Sequence, residues 1–439
     1  MAEAANILKS AIILETDAAP KSVAEAGKFF EEKLANRSDK DSTTSLLSLI
    51  FSLAAGLRAS DVHFEPAAER VRLRFRSDGI LYDIAFIPRA DYALIVSRIK
   101  LISGLKLNVS DSPQDGRFSM EKGSGGQIDT RVSVIPSEYG ETAVIRLLDP
   151  AVTDLNLTDI GLRPDELALT KEILKKPNGM ILVTGPTGSG KTTTLYAFLK
   201  RVKNPGLKII TIEDPIEYRL EGIEQTQVDS SGKYDFNNGL ASILRQDPDV
   251  ILVGEIRDKE TAEIALQASL TGHLVFSTLH TNNAPGAITR LIDLEINPST
   301  IGPALNLVIA QRLVRKLCPD CRKRIEPAEA DQVKIKDLVA SLPQSVKAGL
   351  GEDVNLYEPV GCSKCEGGFR GRLGIFEFLV LDGDFQGLIK KEATEGEIRK
   401  LALEKGMIEM QNDGIIKALQ GLTSLSEVER ETGPVPLLK

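Results

Sequence analysis

No stretch of the 439-residue chain approaches the ~20 consecutive apolar residues that a membrane-spanning helix needs, so the pattern offers no transmembrane helix. The first 39 residues lack a positive segment followed by an apolar core; no signal peptide is read there, and the expected compartment is the cytoplasm. Positive charge is in deficit, with 54 Lys and Arg against 62 Asp and Glu and a net charge of −8, which removes any global electrostatic case for nucleic acid as a partner. Cysteine is scarce. The four present come as two C-x-x-C pairs, which excludes a disulfide framework and suggests a metal. There are only three histidines, no internal repeat and no low-complexity tract. What remains, 42% hydrophobic and 26% charged residues, is ordinary for a globular protein with room for two or three domains.

The chain divides by pattern. Residues 1–44 read as a leading helical tail ending in the polar stretch Asn36 to Thr44. Residues 45–150 read as a first α/β domain: Leu46 to Gly56 is apolar and helix-like, and Val71 to Arg76 alternates with period two, as a half-exposed strand does, before the turn Ser77-Asp78-Gly79. Thr130–Val134 and Ala143–Leu147 are further strands of that domain. Residues 151–160 are the expected linker, and residues 161–439 a second domain. Within it Met180–Thr184, Lys208–Ile212, Val250–Val253 and Leu274–Thr278 alternate with helical stretches. That alternation predicts a mostly parallel sheet covered on both faces, with ligands beyond the carboxyl ends of the strands. The cysteines fall in a module at 312–375, and 382–439 is polar and helical.

The strongest motif lies beyond the first of these strands. Gly185-Pro186-Thr187-Gly188-Ser189-Gly190-Lys191-Thr192 matches the P-loop pattern at every required position. It stands between an apolar strand and a helix containing Leu195, Ala197, Phe198 and Leu199. Loop amides and the helix N-terminus form an anion site there, a cradle for ATP from Gly185 through Thr193. Lys191 is expected on the β- and γ-phosphates and the Thr192 hydroxyl on Mg²⁺.

Other strand ends carry polar residues in turn. Glu213-Asp214-Pro215-Ile216-Glu217 follows the second strand, and Glu213 and Glu217 are both candidates to hold Mg²⁺ through its waters. A solvated acidic turn is the alternative. Gly254-Glu255-Ile256-Arg257 follows the third, where Gly254 stands in place of the usual aspartate. Glu255 is then the carboxylate placed to orient or deprotonate the attacking water. Arg257 is expected to pair with Glu255 or with a phosphate. His280 lies beyond the fourth strand, toward the γ-phosphate; His273 lies at its opposite end, where a structural role weighs equally. The first domain offers Arg117, Arg131 and Arg146 as cations for the γ-phosphate from outside the P-loop domain.

Cys318, Cys321, Cys362 and Cys365 form two C-x₂-C pairs separated by 40 residues. Four thiolates in two pairs suit a closed, structural Zn²⁺ site. Lys364, Arg370 and Arg372 make its second tip basic.

Taken in order, Ala59-Ser-Asp-Val-His-Phe-Glu-Pro66, Arg76-Ser-Asp-Gly79, Pro113-Gln-Asp-Gly-Arg117, Gly140 to Leu148, the P-loop, the acidic box Thr211–Glu217, the atypical Walker B at Ile251–Asp258, the histidine box Thr271–Thr281 and the tetracysteine module resemble the type II secretion and type IV pilus assembly ATPases. The resemblance runs from Ala59 onward. It implies an α/β fold with a PAS-like first domain and a RecA-like P-loop domain. It also implies homo-hexameric rings with nucleotide between the two domains, and an inner-membrane platform protein turned by ATP hydrolysis to add pilin-like subunits. The enzyme is then peripheral to the cytoplasmic membrane through its partners and drives protein transport or filament growth, with ATP, Mg²⁺ and Zn²⁺ as ligands. Glycine at position 254 is the family's own pattern. The cysteine module resembles that of assembly members and argues against a retraction or conjugation ATPase. The region before Ser45 is shorter than the N-terminal domain with which many relatives dock on a membrane-bound partner. Intact Lys191, Thr192, Glu213 and Glu255 argue against a non-hydrolysing nucleotide sensor, and the net charge of −8 against a nucleic-acid motor.

Overall fold

A computed structural model describes residues 12–15, 20, 22–37, 42–123, 125–150, 155–229, 234–347, 350 and 355–435. The chain forms two compact units, Met1–Ala151 with Val360–Arg370, and Val152–Pro359 with Gly371–Lys439.

The first unit is built on a seven-stranded sheet. Its strands are β1 (Ile12–Leu14), β2 (Ala59–Pro66), β3 (Arg70–Ser77), β4 (Ile80–Pro88), β5 (Gln114–Lys122), β6 (Gln127–Ser137) and β7 (Gly140–Leu148), in the order β1-β5-β6-β7-β2-β3-β4. All pairs are antiparallel except β1 with β5. Period-two alternation gives this sheet one apolar face. Val71, Leu73 and Phe75 of β3 point inward with Val62, Phe64, Val132, Val134 and Ile145. They pack on Leu47, Ile50 and Phe51 of the helix Thr43–Gly56 and on Ile95 and Ile99 of the helix Arg89–Ile102. The arginines of β3 alternate onto the other face. The expected helical tail is corrected in part: Ile12–Leu14 is an edge strand, with Ile12 and Leu14 buried, and only Val23–Ala35 and the start of Thr43–Gly56 are helical among the described residues of 1–44. Of the expected tail, residues 1–11, 16–19, 21 and 38–41 lie outside the described residues.

The second unit is built on a second seven-stranded sheet, with β8 (Gly179–Thr184), β9 (Ile209–Glu213), β10 (Glu224–Gln227), β11 (Val250–Val253), β12 (Leu274–Leu279) and β13 (Leu305–Leu317). After the short antiparallel pair β14 (Lys323–Ile325) and β15 (Leu356–Glu358), β16 (Phe369–Val380) completes it. The order is β10-β9-β11-β12-β8-β13-β16, and each neighbouring pair from β10 along to β13 is parallel. This is the RecA-like arrangement, in which the P-loop strand β8 lies between β12 and β13. The strands are apolar on both sides, as a sheet covered on both faces requires. Met180 and Leu182 face one core, with Ile251, Val275 and the helices Lys259–Leu270 and Ala284–Asp293; Ile181 and Val183 face the other, with Leu195, Phe198 and Phe276. Residues 155–160, expected as linker, belong to this core: Leu157 and Ile160 are buried, and Ile160 O accepts from Gly374 N at 2.9 Å. Residues 151–154 lie outside the described residues.

β13 was not read from the sequence. Leu307 to Ala310 is a short apolar run that periodicity cannot tell from a buried helix. From Gly383 four helices follow, at Gly383–Ile389, Glu395–Glu404, Met410–Leu419 and Leu425–Thr432. The third is tied to the core by a buried charge cluster. Asp413 accepts from Arg163 at 2.5 Å, from Lys417 at 2.6 Å and from the Phe376 amide at 2.7 Å.

Candidate functional site: a P-loop cradle with a clamped glutamate

The loop Gly185–Gly190 turns from β8 into the helix Lys191–Val202. Three of its glycines have positive φ: Gly185 at 150°, Gly188 at 81° and Gly190 at 86°. At Gly185 space is also decisive, because a Cβ there would stand 2.5 Å from Gln311 O and 2.7 Å from Ser189 Oγ. The Ser189 hydroxyl is buried and meets no hydrogen-bond partner among the described residues. Lys191 Nζ donates to Gly185 O at 2.8 Å and Pro186 O at 3.1 Å. Burial lowers its pKa; Glu255 and Glu217 oppose that effect and Arg312 adds to it. Bent glycines, an orphaned hydroxyl, a desolvated ammonium and a helix N-terminus make a cradle that fits a polyphosphate. Thr192, in the first helical turn, carries the hydroxyl that fits Mg²⁺.

The strands bring the predicted carboxylates to this end. Glu255 accepts from Arg257 Nη2, and its second oxygen lies 3.3 Å from His280 Nε2. Arg257 also lies 3.6 Å from Asp214. Glu255 is thus held from both sides while staying partly exposed. Its loop is pinned to β12, since Ile256 N donates to Thr278 O at 3.0 Å and Thr278 Oγ1 to Gly254 O at 2.8 Å. Gly254, just past β11, stays bonded to β9, its amide donating to Ile212 O at 2.8 Å. A Cβ there would come within 3.3 Å of Glu213 Cα and Ile212 O, which leaves no easy room for the usual aspartate.

Glu213 and Glu217, equivalent in the sequence, separate here. Glu213 is 3% exposed and accepts from Thr211 at 2.6 Å, from Gln225 at 3.1 Å and from the Tyr196 hydroxyl. Burial raises its pKa against those hydrogen bonds. Its carboxylate is largely engaged by the protein itself. Glu217 is half-buried and is one of the charges acting on Lys191.

One candidate site residue does not join the others. His273 is not at the cradle. It precedes the amino end of β12, where Leu274 pairs with Gly179 while Leu279 pairs with Thr184, so it stands a full strand from the P-loop. Its Nδ1 faces Ala268 O at 3.0 Å, a local structural bond. Arg117, Arg131 and Arg146 belong to the first unit, in one cross-strand row: Arg117 opposite Arg131, Arg131 opposite Arg146, Arg146 opposite Asp61, Asp61 opposite Arg76. The row lies on the face away from the helices, and Arg146 Nε donates to Asp61 Oδ1 at 2.9 Å.

Sequence reading missed Tyr196, Gln311 and Arg312. Gln311 Oε1 accepts from Thr194 at 2.8 Å, behind the P-loop helix. The usable signal was the polar pair Gln311-Arg312 that follows the apolar run Leu307–Ala310.

The four cysteine Sγ atoms lie within 4.8 Å of one another, and those of Cys362 and Cys365 are 3.6 Å apart. A Zn–S bond of ~2.3 Å sets tetrahedral thiolates about 3.8 Å apart, so the set fits Zn²⁺. Cys321 N and Arg322 N donate to Cys318 O, and Cys365 N to Cys362 O, so each pair sits on a tight turn.

Residues 36–430 match the family model described as "Type II/IV secretion system protein". The chain is 46% identical over 406 residues to the type II secretion system protein E of Pseudomonas aeruginosa, covering 91% of this chain and 78% of that protein. It is 42% identical over 405 residues to the type IV pilus assembly ATPase PilB of Myxococcus xanthus, covering 92% and 70%. Among solved structures it resembles the ADP-bound pilus retraction motor PilT, with a TM-score of 0.59 at 27% identity over 88% of this chain and 96% of that one. The Legionella pneumophila ATPase DotB shares the fold, with a TM-score of 0.65 at 21% identity over 90% and 97%. With a P-loop cradle, a clamped glutamate and a match across most of its length, the chain belongs to the type II/IV secretion system protein family and is an ATPase.

Proposed function

We propose that the chain is a cytoplasmic, Mg²⁺-dependent motor ATPase that works as a homo-hexamer. It turns an inner-membrane platform protein to assemble a type IV pilus or a type II secretion pseudopilus, and is peripheral to the membrane through that partner. The observation that carries the hydrolytic part is Glu255, held by Arg257 and His280 beside the lysine-bearing loop. A protein that only senses nucleotide has no use for a carboxylate so placed. No helix among the described residues is long and apolar enough to cross a membrane, which is compatible with attachment through a partner. The tetracysteine cluster and the relatives named for secretion and pilus assembly favour assembly over retraction.

Each residue then has a task. The amides of Gly185–Gly190 and Lys191 hold the phosphates, and the Thr192 hydroxyl would hold Mg²⁺, which would supply charge neutralisation to the phosphate chain. Glu255 orients the attacking water and takes its proton. Arg257 and His280 keep that carboxylate in place, and His280 senses the γ-phosphate. Glu217 serves the water shell of the metal. Glu213, through Tyr196, fixes the acidic turn to the P-loop helix. Arg117, Arg131 and Arg146 supply positive charge from a first domain to the γ-phosphate. Zn²⁺, held by Cys318, Cys321, Cys362 and Cys365, is structural.

Lys191→Ala in the chromosomal copy should abolish the surface filament or the secreted product. The readout is electron microscopy of filaments or assay of the exported protein. Wild-type assembly in that strain would sink the motor reading.

A further inference from the structure

β13 runs beside the P-loop strand in parallel, with Ala310 paired to Thr184. Its next two residues therefore reach the level of Gly185 and the loop beyond. Gln311 O lies 2.5 Å from where a Cβ on Gly185 would stand, and Arg312 Nη1 donates to that same oxygen at 3.2 Å. Arg312 Nη2 donates to Asn282 Oδ1 at 3.1 Å. Asn282 follows Thr281, whose amide donates to Thr184 Oγ1 at 2.8 Å. The guanidinium thus sits at the phosphate end of the sheet, between the P-loop and the loop that carries His280.

Its partners are unusual for a half-buried arginine. Both acceptors are neutral, and no carboxylate forms an ion pair with it among the described residues. Arg257, on the other side of the cradle, has both Glu255 and Asp214. Glu377 and Glu431 act on Arg312 from further off. A guanidinium has five donor hydrogens, and two bonds to neutral oxygens leave most of that capacity and the whole charge without a close anion. Burial disfavours a charge left so. The fork geometry of arginine is suited to phosphate oxygens.

We propose that Arg312 is a phosphate-contacting residue of the ATP site, a cation supplied by the same RecA-like unit that carries Lys191. This rests on the ATPase reading, and it adds to Lys191 a second positive group that no motif in the P-loop announces. It belongs to the nucleotide's phosphate chain rather than to its base or ribose, so inorganic tripolyphosphate should feel its loss as ATP does.

The test is calorimetric binding of Mg·ATP and of Mg·tripolyphosphate to the full chain and to Arg312→Gln, Arg312→Lys and Asn282→Ala. Circular dichroism and thermal melting confirm that each variant is folded. Arg312→Gln should weaken both ligands by about ten- to a hundredfold, the scale of one charged hydrogen-bond pair. Arg312→Lys should recover part of that loss, and Asn282→Ala should stay within about threefold of wild type. If Arg312→Gln binds both ligands as wild type does, the assignment is wrong and the ATPase reading stands. If Asn282→Ala loses as much as Arg312→Gln, the arginine only ties two loops together, and the assignment is again wrong. A wild-type chain that binds neither ligand would overturn the ATPase reading and this inference with it.

Discussion

Glu255→Gln is expected to lower ATP turnover by about 10²–10⁴-fold while leaving nucleotide bound. The substitution keeps the volume and one acceptor oxygen, so Arg257 and His280 retain something to hold, but an amide cannot take a proton from water. Glu255 is singled out over its neighbours by what the others are doing. Glu213 already accepts three hydrogen bonds inside the protein. Glu217 stands on the acidic turn without a clamp of its own among the described residues. Glu255 is both restrained and partly exposed. Phosphate release at saturating ATP, alongside ATP binding by calorimetry, separates turnover from affinity. Unchanged turnover in the variant would transfer the role to Glu213 or Glu217.

Removing Zn²⁺, or replacing Cys318 with Ser, is expected to unfold the insert between the two cysteine pairs. Structural Zn²⁺ sites contribute apparent free energies of about 10–16 kcal/mol near neutral pH. Little else holds this insert. Its sheet is the three-residue pair β14 and β15, and two-stranded sheets are marginal by themselves. Its own buried apolar side chains are few, with Ile335 and Leu356 packing on Ile415, Ala418 and Val428 of the C-terminal helices, and Leu342 and Val346 on Ile416. Hydrogen exchange should show protection lost over residues 322–361 after chelation, while Gly185–Thr192 still binds nucleotide. Metal analysis should find one Zn²⁺ per chain. A chain purified without bound zinc yet fully protected across the insert would contradict the assignment.

Much of this site was legible because the second sheet obeys one rule. Parallel strands covered on both faces are short apolar runs, and the residues just past their carboxyl ends gather at one edge. Met180–Val183, Val250–Val253 and Leu274–Leu279 therefore point directly to Lys191, Glu255 and His280. The same rule sets His273 apart, because it precedes its strand. What was hidden follows from physical ambiguity. Leu307 to Ala310 is too short and uniformly apolar to declare its period, so β13, Gln311 and Arg312 went unread. Ile12–Leu14 is three residues of edge strand whose pairing with Met120 to Lys122 no local pattern encodes. Glu213 and Glu217 are alike in sequence, and only Tyr196, Thr211 and Gln225 set them apart.

That the subunits act as a ring is tested by measuring ATP hydrolysis per subunit against protein concentration, with mass determined by light scattering on the same samples. The expected result is low activity at dilution and a rise that follows formation of a hexamer. A rate per subunit that stays constant while the mass changes, or tight ATP binding without turnover at every concentration, would contradict it.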